Sequence, residues 1–151
     1  MKANKALLSR AKKYMAQDVD KNDRAEINGL IERNDNDAIK ELSERFQGSL
    51  SFGTAGIRGL LGAGESRFNR SVVMRVTYGF VRYLLDTIPE AAQQGIAIGK
   101  DGRYQSNVFQ NDAAAVAAAL GVRVHLLSGT SPTPLLAFAV TYLHAAAGIM
   151  V

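Results

Sequence analysis

From Gly95 to Val151 the chain carries three apolar runs: Gly95-Ile96-Ala97-Ile98-Gly99, Val122 to Leu127, and Ala147 to Val151. Two segments with helical spacing separate them. In the first, Ser106 stands at a cap position, Phe109, Ala113, Val116 and Leu120 fall on one face, and Gly121 supplies a stop. The second opens on Thr133-Pro134, a capping residue followed by a proline suited to the first helical position, and runs to about His144. Strand, helix, strand, helix, strand at this spacing leaves few topologies: right-handed crossovers and a largely parallel sheet with helices on its faces. Between Tyr104 and Val151 the only formal charges are Asp112 and Arg123, so this stretch expects cover on several sides. Ligands of such sheets sit beyond the C-terminal strand ends. Asp101 and Arg103 follow one such end and Ser128 to Thr133 the next, and whatever follows Val151 emerges at the same rim.

The first half reads differently. Residues 3–16 are rich in Ala, Lys and Leu and predict a helix. Asn22 or Asp23 suits the cap of a second helix through about Arg33. Asn36 or Asp37 suits a third, with Ile39, Leu42 and Phe46 at helical spacing and Gly48 as the stop. Asn69 is placed to cap a long helix whose Val73, Val76, Phe80 and Leu84 share a face, with Gly79 open to a close neighbour and Pro89 ending the segment. The charged region 1–48 is expected to be a structural helical extension, and 49–151 the α/β domain.

Between these parts lie five glycines within twelve residues, Gly53, Gly56, Gly59, Gly62 and Gly64, around Thr54 and Arg58. Leu50 to Phe52 predicts a short strand into this segment and Leu60-Leu61 its return arm. Glycine lets backbone N–H groups approach a bound group without a side chain in the way. A guanidinium fork and a hydroxyl in that setting suit a phosphate. The run is neither a G-K-[ST] loop nor a G-x-G-x-x-G fingerprint, so spacing alone leaves open a tight hairpin that binds nothing.

Phe52-Gly53-Thr54-Ala55-Gly56-Ile57-Arg58-Gly59, followed by Ser66-Arg67-Phe68-Asn69, resembles the N-terminal signature of the α-D-phosphohexomutases, the phosphoglucomutase and phosphomannomutase superfamily. Gly99-Lys100-Asp101-Gly102-Arg103, Thr133-Pro134 and Ala147 to Val151 resemble later pieces in the same order, over roughly residues 46–151. The long N-terminal region and the Phe-Gly-Thr-Ala-Gly form are most similar to the phosphoglucomutase/phosphopentomutase branch. The resemblance implies an isomerase acting by intramolecular phosphotransfer. A phosphoserine, a bisphosphate intermediate and magnesium interconvert hexose or pentose 1-phosphates with 6- or 5-phosphates. It implies phosphate or substrate contacts at Gly53, Thr54, Gly56 and Arg58, and support of the active site by Asp101, Arg103 and Thr133.

The phosphoserine loop expected after Val151, the D-G-D-G-D-R metal loop and the later domains are not in this sequence. The resemblance therefore implies an incomplete domain I with no catalytic nucleophile and no magnesium ligands, inactive alone, whose partners are a sugar phosphate and the downstream domains. A non-catalytic sugar-phosphate-binding module and an interaction protein using the uncharged C-terminal half are the alternatives.

Composition narrows the rest. With no cysteine, a disulfide scaffold and zinc-thiolate sites are excluded, and a cytoplasmic location is the expectation. No apolar run reaches the roughly 18 residues of a membrane span. Net charge is +4, but residues 1–50 hold ten basic and nine acidic residues and no aromatic interleaving accompanies the basic excess, which speaks against nucleic acid. His125 and His144 stand without partners at ligand spacing and are expected to be structural.

Overall fold

The computed structural model describes residues 4–54 and 56–151. Ala3, where the first predicted helix begins, and Ala55, inside the glycine motif, lie outside the described residues. The chain forms two compact units, one ending at Val72 and one beginning at Val73.

The first unit opens with three helices, α1 (Lys5–Gln17), α2 (Lys21–Arg33) and α3 (Asn36–Arg45). Each begins at a side-chain cap. Asn4 accepts from the Ala6 N–H, Asp20 from Asn22 and Asp35 from Ala38. The caps of α2 and α3 are thus Asp20 and Asp35, each upstream of the expected positions, because in each case the earlier carboxylate reaches the free N–H groups of the first turn. Ala11, Tyr14, Ile27, Leu30, Ala38, Leu42 and Phe46 make one core, with Tyr14 meeting Phe46 edge-on at 5.5 Å. Ala63, from the glycine segment, is fully buried in that same core.

Within the glycine segment β1 (Phe52–Gly53) pairs antiparallel with β2 (Gly56–Ile57). The return arm is Gly56–Ile57 and not Leu60-Leu61; Leu61 instead bridges Phe68. Asn69 caps α4 (Arg70–Thr87) as expected, its Oδ1 accepting from the Val72 N–H at 3.0 Å. The buried row on α4 beyond Val72 is Val73, Thr77, Val81 and Leu84; Val76 and Phe80 sit half-buried beside it. Gly79 faces open space rather than a close neighbour.

In the second unit a short helix α5 (Ala91–Gln94) precedes β3 (Ile96–Gly99). Then follow α6 (Ser106–Ala119), β4 (Val124–Leu126), α7 (Thr133–Tyr142) and β5 (Ala147–Met150). The sheet order is β4-β3-β5, all parallel, with Ile96 opposite both Val124 and Ala147. Every residue of β3 is buried, as a central strand requires. Helix α6 packs on β3 and β4, and α7 on β3 and β5, giving the α/β/α layering that the alternation predicts. A Cβ on Gly148 of β5 would stand 2.7 Å from Val140 Cγ2 of α7, so a glycine there sets how closely that helix lies on the sheet. The cap of α7 is Pro132, without a side-chain hydrogen bond; Thr133 is the first helical residue and is exposed. Among the described residues no helix is long and apolar enough to cross a membrane.

Candidate functional site

The register Phe52↔Ile57 and Gly53↔Gly56 puts Thr54 at the turn of the ribbon. Gly56 has φ +88°, a left-handed value that favours glycine, and the space where a Cβ would point is open. Gly53, Thr54, Gly56 and Arg58 are all exposed. Among the described residues, neither the Thr54 hydroxyl nor the Arg58 guanidinium takes part in a hydrogen bond or ion pair. The ribbon thus presents one hydroxyl and one planar donor fork to solvent, with no side chain at its glycines to screen them.

The ribbon's base is built in the opposite way. Arg45 of α3 is buried and donates from Nη1 to the Ala63 carbonyl at 2.8 Å. Its Nη2 donates to Glu26 Oε1 at 2.6 Å and to Glu41 Oε1 at 2.7 Å. Glu26 in turn accepts from the Ala63 N–H at 3.2 Å, so both sides of this residue's backbone are held. Burial alone would lower the Arg45 pKa, but its hydrogen bonds to the Glu26 and Glu41 carboxylates outweigh it and hold the guanidinium above its ordinary value. Gly64, at φ +120°, lies against Arg45; a Cβ there would be 2.7 Å from the Arg45 carbonyl oxygen. Asn69, buried, donates from Nδ2 to the carbonyls of Gly62 (3.0 Å) and Gly64 (2.9 Å) while its Oδ1 caps α4. Ser66 closes the base, donating to the Gly48 carbonyl at 2.7 Å.

At the C-terminal rim of the sheet, Asp101 organises the loop after β3. Its Oδ1 accepts from the Arg103 N–H at 2.9 Å and the Ser106 hydroxyl at 2.8 Å, and its Oδ2 pairs with Arg103 Nε at 3.1 Å. Partial burial would raise this carboxyl; the Arg103 N–H, the Ser106 hydroxyl and the Arg103 charge together hold it below the usual range. Ser106, expected to be a cap, is the first helical residue of α6 and braces Asp101 instead. The Asp101 N–H donates to the Val151 carbonyl at 2.7 Å, the Val151 N–H to Gly99 at 3.1 Å, and the Ser131 N–H to Lys100 at 2.9 Å. The segments after β3, β4 and β5 therefore meet at one rim, with Asp101 and Arg103 joined there as a pair. Arg103 remains 85% exposed at its side chain, so most of its donor fork faces solvent. Thr133 makes no cap bond.

Gln110 was not identifiable as a rim residue from the sequence, where it reads as one polar residue in an alanine-rich helix. It is buried, and its Nε2 donates to the carbonyls of Ile98 and Leu127, both at 3.0 Å, tying the ends of β3 and β4 together. His125 Nε2 lies 3.1 Å from the Gln94 carbonyl, a structural contact. Among the described residues no group of three or more His, Cys, Asp or Glu side chains is arranged to hold a metal ion.

The sequence pattern of the phosphoglucomutase/phosphomannomutase α/β/α domain I matches residues 49–151. A probable phosphoribomutase of Schizosaccharomyces pombe is 38% identical over 134 residues, which cover 89% of this chain and 22% of that protein. A phosphoglucomutase of Staphylococcus epidermidis is 41% identical over 116 residues, covering 77% of this chain and 21% of that protein. The human phosphopentomutase is 37% identical over 118 residues, 74% of this chain and 19% of that protein. No solved structure matches. The chain spans about a fifth of the length of these curated relatives. It belongs to the phosphoglucomutase/phosphomannomutase family, of which it carries domain I.

Proposed function

We propose that this domain I serves a sugar-phosphate mutase, an isomerase that moves a phosphate between the 1-position and the 6- or 5-position of a hexose or pentose. In this reading residues 49–151 are the domain and 1–48 its helical extension, and the protein works in the cytoplasm. The observation that carries it is the exposed, unpartnered Arg58 and Thr54 on a glycine ribbon, inside a chain of this family. An unpaired guanidinium beside glycines is a receptor for a doubly charged oxyanion. Arg58 binds and orients a phosphate of the substrate, Thr54 donates one further hydrogen bond, and Gly53 and Gly56 keep the approach open.

Asp101 is a positioning residue: by fixing the loop after β3 it sets where Arg103 and the chain after β5 leave the sheet. Thr133, at the start of α7, shapes the same rim. The nucleophile and the general base belong to polypeptide beyond these residues, so the 151-residue chain binds without turning over. The family resemblance also implies magnesium. The described residues do not fit such an ion, because no three His, Cys, Asp or Glu side chains among them converge on one point.

Calorimetric titration of the chain with glucose 1-phosphate and ribose 5-phosphate tests this reading. The expected result is saturable binding of at least one, lost in Arg58→Ala, with no isomerised product. Absence of heat with both sugars, or turnover by the pure chain, overturns it.

A further inference from the structure

Helix α4 turns Val73, Thr77, Val81 and Leu84 inward, and its opposite face is exposed at Arg75, Tyr78, Gly79, Arg82, Tyr83 and Asp86. At about 100° per residue, Arg75, Gly79, Arg82 and Asp86 fall along the centre of that face, with Tyr78 and Tyr83 on its two flanks. The fold of the chain does not account for this stripe. Gly79 is not left-handed, and nothing lies within 4 Å of the place where its Cβ would stand. Alanine would fit there and would favour the helix. Arg82 reaches its own Asp86 at 3.6 Å. Arg75 has only Ser71 and Gly79 four residues away on either side and, among the described residues, makes no ion pair.

The stripe complements itself in one arrangement. Let the α4 of a second copy lie antiparallel across it, about a two-fold axis between Phe80 and Val81. Arg75 of each copy then faces Asp86 of the other, and Arg82 faces Gly79. Both ion pairs form at once, and the missing side chain at Gly79 leaves room for the Arg82 stem to lie along the opposite helix. Neighbouring arrangements bring like charges together. A register shifted by one turn one way sets Arg75 against Arg82; shifted the other way, it sets Arg82 against its own counterpart; parallel helices in register oppose every charge to itself. We propose that α4 is the contact face of a symmetric homodimer, its occupant a second copy of this chain in the antiparallel register. With Tyr78 and Tyr83, 53% and 63% exposed, adding apolar area on each copy, the pairing covers on the order of 1,000 Å² in total. That is the low end for a specific interface, so the dimer is weak, with a dissociation constant in the micromolar range.

Sedimentation velocity of the 151-residue chain, from micromolar to millimolar concentration, tests this. The chain is expected to pass from monomer to dimer over that range, and to need a higher concentration in high salt. Arg75→Glu and Asp86→Arg are each expected to raise the dissociation constant at least tenfold, because each sets two pairs of like charges across the axis. An equimolar mixture of the two single variants is expected to dimerise, since positions 75 and 86 then carry opposite charges at both contacts. The double variant Arg75→Glu/Asp86→Arg is expected to dimerise for the same reason. A chain that stays monomeric to millimolar concentration, a dimer that both single variants leave unchanged, or folded single variants whose mixture remains monomeric overturns the proposal. Should either variant lose its helical circular-dichroism signal, the milder Arg75→Gln and Asp86→Asn decide. Each is expected to weaken the dimer severalfold, and no weakening in either overturns the proposal.

Discussion

The two ends of the glycine segment use the same residue for opposite purposes. At residues 53–58 glycine keeps a surface bare: Gly56 is left-handed, its surroundings are empty, and Arg58 projects unpaired. At residues 62–69 glycine lets the backbone press on a buried side chain: Gly64 touches Arg45, and Asn69 and Glu26 hold the adjoining peptides. A receptor that must accept an anion needs open donors, and open donors stay in place only if something close by is rigid. The first end presents open donors and the second is held by buried hydrogen bonds.

The sharpest way to break this contrast is to add one methyl group at each end. In Gly64→Ala the new Cβ meets the Arg45 carbonyl at 2.7 Å in a left-handed conformation. A loss of about 3 kcal/mol or more is expected in chemical denaturation. In Gly56→Ala only the conformational cost applies, about 1 kcal/mol. Equal losses would show that the two ends do not differ. Next in size, Arg45→Ala is expected to cost about 2–3 kcal/mol. It strips the Ala63 carbonyl of its donor and leaves Glu26 and Glu41 facing each other, although both acids are partly hydrated.

A smaller effect sharpens the account of the same unit. Burial, then the neighbouring Asp18, Asp20 and Glu26, push Asp23 up to about 6, against an opposing pull from Arg45. A folded-state pKa above the ordinary value means that folding favours the protonated form. Its contribution is therefore full below the ordinary carboxylate pKa and is lost as pH rises through about 6. Asp23→Asn is expected to raise stability at pH 7, by about 1 kcal/mol or less because the group is partly solvated, and to leave it unchanged at about pH 3, below the ordinary carboxylate pKa. Melting curves at the two pH values check this. Smallest of all, Arg58→Ala is expected to change stability by less than about 0.5 kcal/mol, since no bond is lost, while removing sugar-phosphate binding. A large destabilisation there would mean that Arg58 belongs to the base and not to the receptor.

Much of the second unit was legible in the sequence because its signals are local. Three short apolar runs, Gly121 after α6 and the proline near the start of α7 fix strands and helices within two or three residues. The parallel sense of the strands, though not their order, followed from connections long enough to hold a helix. In the first unit the helices were legible but their caps were not: Asp20, Asn22 and Asp23 are all good caps, and only the chain's path selects among them. The glycine ribbon was legible as a motif, its base was not. Arg45 sits 18 residues from Ala63, and Glu26 is 37 residues away. No spacing rule links a buried guanidinium to a distant peptide. Gln110 escaped for the same reason, since its partners are main-chain carbonyls and leave no mark on composition.

The grip on Ala63 by side chains from two separate helices bears on how such a motif can be moved or inherited. The stretch from Phe52 to Asn69 is not a self-contained cassette. Grafted onto another scaffold without α2 and α3, it would lose the side chains that hold the Ala63 peptide. Exchange of this segment between proteins, by recombination or by design, would succeed only when the helices upstream travel with it.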